Sequence, residues 1–412
     1  MNFEYFIADR MSRSAEGGRP NIMVRIATFS VAAGIAAMIV TLAVLAGFEH
    51  EIERRITGFT GHVLVADTRG FEASEPPVFE RDSRAEELLA GIGGFVSMSP
   101  YALRCGIVKS EDSVEGLVLK GYDDGAGFFA ECLVEGSMPR MCDSVLHKEI
   151  LISRVVADRL QIEVGKRIEM LFVDGARPAR RDRFVVSGIY ASGMDESDKM
   201  LVLTDIRNVR RLIAGSTDRT VSGYEVRIDD FDRAEEFADE ANRLLLYDDD
   251  VEAPVAAMSI RDLQAVIFDW QKTHDVNAVV IIILMLTVAL FNTVSALLIL
   301  VLERTRTIGV LKSMGMSDSS LRKVFLYRAV FIVVKGIVWG DIAGAALCLL
   351  QKYTHIIKLD PAGYILSEMP VRIEWWHLPV LDAGAVAVIV LGLLIPARIV
   401  ASIRPEEAVR YE

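Results

Sequence analysis

The chain has 412 residues, of which 52% are hydrophobic and 25% are charged, and its net charge is −12. A soluble protein rarely combines these values, because so many apolar side chains need a membrane or a very large core to cover them. The sequence has no basic stripe that could neutralise phosphates, which excludes a nucleic-acid partner. The negative charge is concentrated in residues 49–276, which hold 28 Lys/Arg and 44 Asp/Glu. The composition therefore predicts an acidic soluble domain set among apolar, weakly basic segments.

Four apolar segments are long enough to cross a membrane. Residues 26–48 and 276–302 carry no charged side chain, residues 324–350 carry three, and residues 378–400 carry two. At about 1.5 Å per residue, a helix of this length crosses about 30 Å of hydrocarbon. The apolar region of a signal peptide is only about 7–15 residues long. We therefore interpret the first segment as a membrane span.

The Lys and Arg residues of the short loops predict the orientation of these spans. They are concentrated in residues 1–25, 303–323 and 401–412, which lie on one side of the membrane if there are four spans. We expect these to be an amphipathic N-terminal segment, a loop and a tail, all in the cytoplasm. Residues 49–275 then lie outside, and residues 351–377 form a short outer loop. The predicted fold class is a membrane α-helical protein with four transmembrane helices and a large α+β domain between helices 1 and 2.

The outer domain is predicted to contain both strands and helices. Alternating apolar and β-branched residues predict strands at residues 61–66, 114–121, 183–190 and 224–228. Apolar residues at spacings of three and four predict helices at residues 84–92 and 231–246. Residues 125–218 are expected to form an inserted β-rich lobe.

A hairpin tip is predicted inside this lobe. Residues 174–178 read Asp-Gly-Ala-Arg-Pro, which is typical of a turn, and the flanking residues are basic. One interpretation is a solvated loop, and the other is a docking loop for an acidic or carboxylate-bearing partner. The residues of that candidate docking loop are Asp174, Arg177, Pro178, Arg180 and Arg181.

The sequence does not decide whether Cys132 and Cys142 form a disulfide. No metal site is expected, because no typical Cys or His spacing occurs.

No catalytic motif is found in the sequence. Signatures of P-loops, dinucleotide sites, nucleophile elbows and zinc proteases are all missing. We therefore expect neither enzymatic activity nor a cofactor on this chain. In the third span, Arg328 and Lys335 can extend their charges toward the cytoplasmic boundary, whereas Asp341 needs a partner or a watery cavity. For Asp341 we favour a structural ion pair or a cavity wall over a proton relay.

Three stretches of the sequence resemble one protein family. They are Val44–Glu49 followed by Gly61-His62-Val63, then Glu303–Met316, and finally Tyr364–Val371 together with Arg404–Glu412. The chain resembles the four-span ABC permeases of the FtsX-like superfamily, and the first and third stretches are similar to the lipoprotein-releasing branch. The resemblance implies a multi-pass permease of the bacterial inner membrane with its large domain in the periplasm. It would extract lipoproteins from the outer leaflet and pass them to a periplasmic carrier.

The resemblance also implies partners. These are a second permease subunit and a separate cytoplasmic ATPase, which would hold ATP and magnesium. In the family, a coupling helix between the second and third spans docks into the ATPase. Here that helix corresponds to Glu303, Arg304, Arg306, Ile308, Gly309, Lys312, Gly315 and Met316. The alternative is a charge cluster that only fixes the membrane topology.

The family member that recruits the carrier has a long hairpin hook in its β-rich lobe. The corresponding tip of this chain, residues 173–183, is several residues shorter. Two alternatives follow: this chain is the partner subunit that does not recruit the carrier, or it uses a different carrier.

Acylated cargo needs an apolar wall with a polar rim at the outer ends of the first two spans. The residues that meet this requirement are Leu42, Leu45, Phe48, Glu49, Val276, Val279, Val280 and Ile283. For Phe48 and Glu49, the alternative is an interfacial anchor followed by a solvated helix cap. Small residues on the first span, including Ser30 and Gly34, predict close packing in lipid. We expect that face to meet the third span of the same chain or the second span of an opposing subunit.

Two other functions are alternatives to lipoprotein release. An FtsX-like permease that controls periplasmic cell-wall hydrolases is the first, but such relatives usually have a smaller outer domain. A transmembrane receptor is the second, and it would need a cytoplasmic output domain. The longest predicted inner segment has about 25 residues, which is too short for one.

Overall fold

The computed structural model describes residues 22–69, 71, 76–109, 114–123, 126–174, 177–303, 305–359, 366 and 368–401. In chain order, its helices are α1 (Ile22–Thr60), α2 (Ser83–Ala90), α3 (Gly127–Glu131), α4 (Arg154–Leu160), α5 (Asp195–Asp198), α6 (Ile206–Arg210), α7 (Ala234–Tyr247), α8 (Ile260–Leu263), α9 (Ala265–Glu303), α10 (Thr305–Ser313), α11 (Asp318–Thr354) and α12 (His377–Ala401). Its strands are β1 (Val63–Asp67), β2 (Phe79–Glu80), β3 (Phe95–Lys109), β4 (Val114–Tyr122), β5 (Leu133–Gly136), β6 (Glu149–Ser153), β7 (Arg167–Asp174), β8 (Arg177–Tyr190), β9 (Leu201–Asp205), β10 (Thr220–Val221), β11 (Gly223–Ile228) and β12 (Val255–Ser259).

The chain divides into two compact units. The helical unit takes its described residues from 1–50, 271–358 and 368–412. The sheet unit takes its described residues from 51–270 and 359–367.

Three described helical segments are long and apolar enough to cross a membrane. They are Val24–Thr60, Ala265–Ala296 and Asp318–Thr354. A shorter apolar stretch, His377–Gly392, lies in α12. All four segments predicted as spans therefore lie on helices.

Glycines of α11 allow it to approach α1 closely. They lie four residues apart, at Gly336, Gly340 and Gly344. A Cβ atom at these positions would lie 2.6–3.0 Å from side-chain atoms of three residues of α1, namely Val31, Ile35 and Ile39. Small residues at this spacing let two helix backbones approach in lipid. The packed face is fully buried and forms the core of the helical unit.

The small face of α1 around Gly34 packs against a different helix from the one that the sequence predicted. A Cβ on Gly34 would lie 3.9 Å from Ala289 Cβ and from the carbonyl oxygen of Met285, both in α9 of the same chain. Asn292 of α9 also donates a hydrogen bond to the hydroxyl of Ser30. The prediction of the third span or an opposing subunit was therefore wrong for Gly34. The third span instead meets the neighbouring ridge of α1.

The large sheet of the sheet unit follows the order β12-β1-β11-β3-β4-β9-β6-β8-β5. Strand β7 pairs with both β3 and β8, so β3, β4, β9, β6, β8 and β7 close into a ring. Aromatic side chains fill part of it, with the rings of Phe172 and Phe184 6.5 Å apart. A Cβ on Gly106 would lie 2.7 Å from the ring of Phe172, so glycine is needed there.

The predicted α+β character of this region is confirmed. The predicted strands correspond to β1, β4, the second half of β8 and β11, and the predicted helices correspond to α2 and α7. The apolar face of α7 is buried, as its spacing predicted, through Ala234, Phe237, Ala238, Ala241 and Leu245. Strands β3 and β4 precede residue 125 but share the closed ring with the strands of the predicted lobe.

Candidate functional site

The segment between α9 and α11 forms a short helix that ends in a rigid turn. After α10, the N–H of Gly315 donates to the carbonyl of Lys312, and the N–H of Met316 donates to the carbonyl of Leu311. These two bonds define a Schellman motif, which requires a left-handed residue at the position of Gly315. Gly315 has φ +92°, which a side chain would strain. Ser317 then caps α11 by accepting a hydrogen bond from the N–H of Ser320.

The structure places most of the predicted coupling residues on this helix and its turn. Arg306, Ile308, Gly309 and Lys312 lie in α10, Glu303 ends α9, and Gly315 and Met316 form the turn. Arg304 lies outside the described residues. Lys312 Nζ lies 2.9 Å from Asp318 Oδ1, and this ion pair spans the turn. Met316 packs against the core of the helical unit. The turn is therefore held both by this packing and by the ion pair.

The outer loop lies directly on α1. A Cβ on Gly47 would lie 2.6 Å from the carbonyl oxygen of Pro370, so only glycine allows this approach. One turn earlier, the carbonyl of Ala43 accepts a hydrogen bond of 2.9 Å from the N–H of Arg372. Gly47 and Pro370 belong to two of the stretches that carry the family resemblance. The fold therefore brings these two stretches into contact at one end of the helical unit.

The candidate cargo residues lie at this same end of the unit. On α1, Leu42, Leu45 and Phe48 are partly buried and Glu49 is exposed. On α9, the exposed fractions are 63% for Val276, 54% for Val279, 55% for Val280 and 58% for Ile283.

The contacts between α1 and α9 show how the candidate cargo residues of the two helices lie relative to each other along the helix axes. The helices are antiparallel, since Gly34 lies by Ala289 and Ser30 bonds Asn292. By this register, Leu45 and Phe48 are level with the first turns that follow Val276. The side of α9 that is covered carries small residues such as Ala278 and Ala289. The four larger apolar residues therefore form an exposed face of α9 beside the α1 group.

A crevice beside Leu42 was not anticipated from the sequence. Its apolar lining is Ile39, Leu42, Ala43, Ile373, Leu378 and Leu381, and its polar lining is Glu374 and His377. Trp376 Nε1 donates a hydrogen bond of 3.0 Å to Glu374 Oε2, which orients this carboxylate. The crevice has an apolar floor and a polar rim, but it lies between α1, the outer loop and α12. The run Glu374-Trp375-Trp376-His377 was the available signal, since it sets charge beside interfacial aromatic residues.

The predicted docking hairpin is formed by β7 and β8. Asp174 and Arg177 are the last paired positions of its ladder, and residues 175–176 lie outside the described part of the chain. Arg181 and Arg183 are about three-quarters exposed and flank Glu169, with the Arg183 Nε–Glu169 Oε2 distance 3.0 Å. Pro178 is exposed, and Arg180 donates to the carbonyl of Arg211. The outward face of the hairpin is therefore basic, although Glu169 offsets part of its charge.

Cys132 and Cys142 are not joined by a disulfide in this structure, so the bridge that the sequence left undecided is not formed here. Burial raises the pKa of the Cys132 thiol, which keeps it protonated and less reactive.

Two family models match this chain. The MacB-like periplasmic core domain matches residues 26–244, and the FtsX-like permease C-terminal region matches residues 279–405. The first match covers more than half of the chain. The chain belongs to the MacB-like and FtsX-like permease family. The resemblance inferred from the sequence is thereby confirmed.

Similar proteins extend over nearly the whole length of this permease. It is 25% identical over 399 residues to the "Lipoprotein-releasing system transmembrane protein LolC" of Xylella fastidiosa, covering 93% of this chain and 92% of that protein. It is 22% identical to LolE of Haemophilus influenzae, with 99% of each chain covered. Among solved structures, the periplasmic region of MacB from Actinobacillus actinomycetemcomitans is 15% identical with a TM-score of 0.33, covering 50% of this chain and 91% of that one.

Proposed function

We propose that this permease extracts lipoproteins from the outer leaflet of the bacterial inner membrane, driven by a separate ATPase subunit. The observation that carries the proposal is the end-to-end similarity to LolC and LolE proteins, which are named as parts of a lipoprotein-releasing system. The size of the sheet unit supports this function over control of cell-wall hydrolases. Delivery then proceeds toward the outer membrane.

The proposed topology has four membrane spans, formed by α1, α9, α11 and α12. The basic residues before α1, between α9 and α11, and after α12 then lie in the cytoplasm. The sheet unit is periplasmic in this arrangement. Exposed Trp375 and Trp376 at the start of α12 support an interface at that point.

The proposed docking element for the ATPase is α10 with its turn. A coupling element must pass force without bending, and the Schellman motif at Gly315 with the Lys312–Asp318 ion pair holds α10 against α11. The ATPase would bind as a dimer under two permease subunits, of which this chain is one. ATP and magnesium would be held by the ATPase.

The proposed cargo surface is the exposed apolar face of α9 together with the neighbouring end of α1. An apolar face of this kind can hold a lipid tail during extraction, because it keeps the tail out of water, where each exposed methylene costs about 0.8 kcal/mol. Glu49 supplies a polar group at the edge of the face, where the first residues of a lipoprotein would lie.

Photo-crosslinking tests this surface directly. A photoreactive amino acid at position 45, 48 or 280 should give adducts with a lipoprotein in membranes, and ATP should abolish them. Position 266 offers a matched control, because Val266 is 84% exposed and lies outside the proposed surface. Adducts with phospholipid alone at positions 45, 48 and 280 would refute the assignment.

For the carrier, the β7–β8 hairpin is the proposed contact. Its exposed arginines suit a partner with acidic side chains. Charge reversal at Arg181 and Arg183 together should then weaken carrier binding without changing ATPase binding. Unchanged carrier binding would indicate that this chain is the subunit that does not recruit the carrier.

Depletion of the protein in its host separates the two candidate functions. Under our proposal, lipoproteins destined for the outer membrane accumulate in the inner membrane, which membrane fractionation detects. If the permease instead controls cell-wall hydrolases, lipoproteins stay correctly located and the cells fail to separate.

A further inference from the structure

A groove in the helical unit runs between α11 and α12. It has a volume of about 550 Å³ and is lined by Val334, Ile337, Val338, Asp382, Ala383, Val386, Ala387 and Val390. All of these residues except Asp382 are aliphatic. The wall therefore suits an apolar ligand, because it offers no hydrogen-bond partner to a polar one.

Among the described residues that line the groove, Asp382 is the only polar one. Its Oδ1 atom is buried and receives no hydrogen bond from any residue that the structure describes. Asp341 lies close enough to act on it electrostatically, and its own Oδ1 likewise lacks a donor within the described chain. A carboxylate without a donor is costly in apolar surroundings. A ligand that fits this groove must therefore bring a hydrogen-bond donor, and a cationic donor suits it best.

The shape and chemistry of the groove argue against a protein ligand. An extended peptide would leave its backbone N–H and C=O groups without partners along the aliphatic wall. A helix is about 10–12 Å across and fills on the order of 1,000 Å³ over the roughly 12 Å from Asp382 to Val390. The groove is open along one side, so a helix could enter it only in part. An acyl chain is thinner than a helix and needs no hydrogen-bond partner.

We propose that this groove binds an aminophospholipid, with an acyl chain between α11 and α12 and the primary amine donating to Asp382. Asp382 lies five residues after His377, or about 8 Å along the helix axis. The exposed side chains of Trp375 and Trp376 precede it, and such residues mark the membrane interface. The carboxylate thus lies within reach of a head group in the adjacent leaflet.

Lipid retention by the full chain tests the proposal. The protein is placed in nanodiscs that contain equal amounts of phosphatidylethanolamine, phosphatidylcholine and phosphatidylglycerol, and the lipids that stay bound are identified by native mass spectrometry. Phosphatidylcholine has no N–H donor, and phosphatidylglycerol carries hydroxyl donors with a net negative charge. A charge-assisted hydrogen bond should favour phosphatidylethanolamine at least about fivefold over either of the others.

Variants assign this preference to the groove. Asp382→Asn should lower it to less than about twofold, because the amine loses its charged acceptor. Ala387→Leu should fill the groove and reduce retention of all three lipids. Val380→Phe adds comparable bulk at an exposed site of α12 outside the lining and should behave like the wild type. Equal retention of the three lipids by the wild type, or an unchanged preference in Asp382→Asn, would overturn the proposal.

Discussion

Lys120 Nζ donates a hydrogen bond of 2.7 Å to the carbonyl oxygen of Phe59, in the last turn of α1. The same ammonium forms a buried ion pair with Glu225, which also accepts a hydrogen bond from the hydroxyl of Tyr122. The last carbonyls of a helix have no partner within the helix, and a cation there is favourable. Lys120 on β4 and Glu225 on β11 thus fix the end of α1 to the sheet.

Loss of this cation should be strongly destabilising. Lys120→Met leaves Glu225 buried without its partner, which costs about 3–5 kcal/mol. For a unit of this size, that lowers the melting temperature by roughly 6–20 °C. Lys166→Met is the matched control, because Lys166 is 54% exposed and its ion pair with Glu163 is long, at 3.7 Å. Thermal unfolding of the full chain in detergent should show a large shift only for Lys120→Met, and similar shifts for both would contradict the assignment.

His62 should make the sheet unit less stable in mild acid. Its Nδ1 accepts a hydrogen bond of 3.1 Å from the N–H of Ile228, which requires an unprotonated nitrogen. Burial, followed by the charge of Arg227, lowers the pKa of His62 below its usual 6.5. Between these two pKa values the unfolded chain binds the proton and the folded chain does not. The stability contribution is therefore fully present above pH 6.5 and is lost as the pH falls through the lowered value.

Melting temperatures at pH 7.5 and 5.5 measure this effect. His62→Asn keeps an acceptor near the position of Nδ1 but cannot take up a proton in this range. The variant should lose less stability than the wild type between the two pH values. An equal loss in both proteins would assign the acid sensitivity to other groups.

Tight packing between α1 and α11 predicts unequal effects of glycine substitutions. Gly340→Ala would place a Cβ 2.7 Å from Ile35 Cβ, and such overpacking costs about 1–3 kcal/mol. Gly384→Ala is the control, because its Cβ would meet no atom within 4 Å. At Gly34, where the nearest atoms are 3.9 Å away, alanine should also be tolerated. If Gly340→Ala and Gly384→Ala have the same melting temperature in detergent, then α1 and α11 do not approach each other as closely as described.

Charges on the coupling segment should decide whether the ATPase binds. Arg304→Glu combined with Lys312→Glu is expected to abolish co-purification of the ATPase subunit, while the chain still inserts into the membrane. Asp318→Asn breaks the Lys312–Asp318 ion pair without reversing a charge on α10, and it should retain the ATPase. If the double variant still co-purifies and still stimulates ATP hydrolysis, the segment only fixes the membrane topology.

Local patterns in the sequence predicted the elements of the fold well. Uncharged apolar runs located α1 and α9, and the spacing of apolar residues located α7 with its buried face. These features depend on residues close together in the chain, so periodicity reports them directly. Closure of the ring by pairing of β7 with β3 joins residues about 60 positions apart, such as Ile107 and Leu171. No local pattern in the sequence specifies which two strands pair along their edges.

Helix packing was likewise predictable only in part, because the sequence indicates a close contact but not the partner helix. The spacing of Gly336, Gly340 and Gly344 is visible in the sequence and indicates a close helix contact. The spacing does not say which helix packs against these glycines. The small face at Gly34 was assigned to the wrong neighbour for the same reason. The contact between Gly47 and Pro370 was hidden for a similar reason, since each residue reads locally only as a helix interior or a loop.

Reconstituted release tests the central claim most directly. The permease, its second subunit and the ATPase are placed in liposomes with a radiolabelled lipoprotein and a soluble carrier, and the lipoprotein in the supernatant is measured with and without ATP. We expect release that requires ATP, with the lipoprotein bound to the carrier. ATP hydrolysis at a normal rate with all of the lipoprotein still in the liposomes would contradict it.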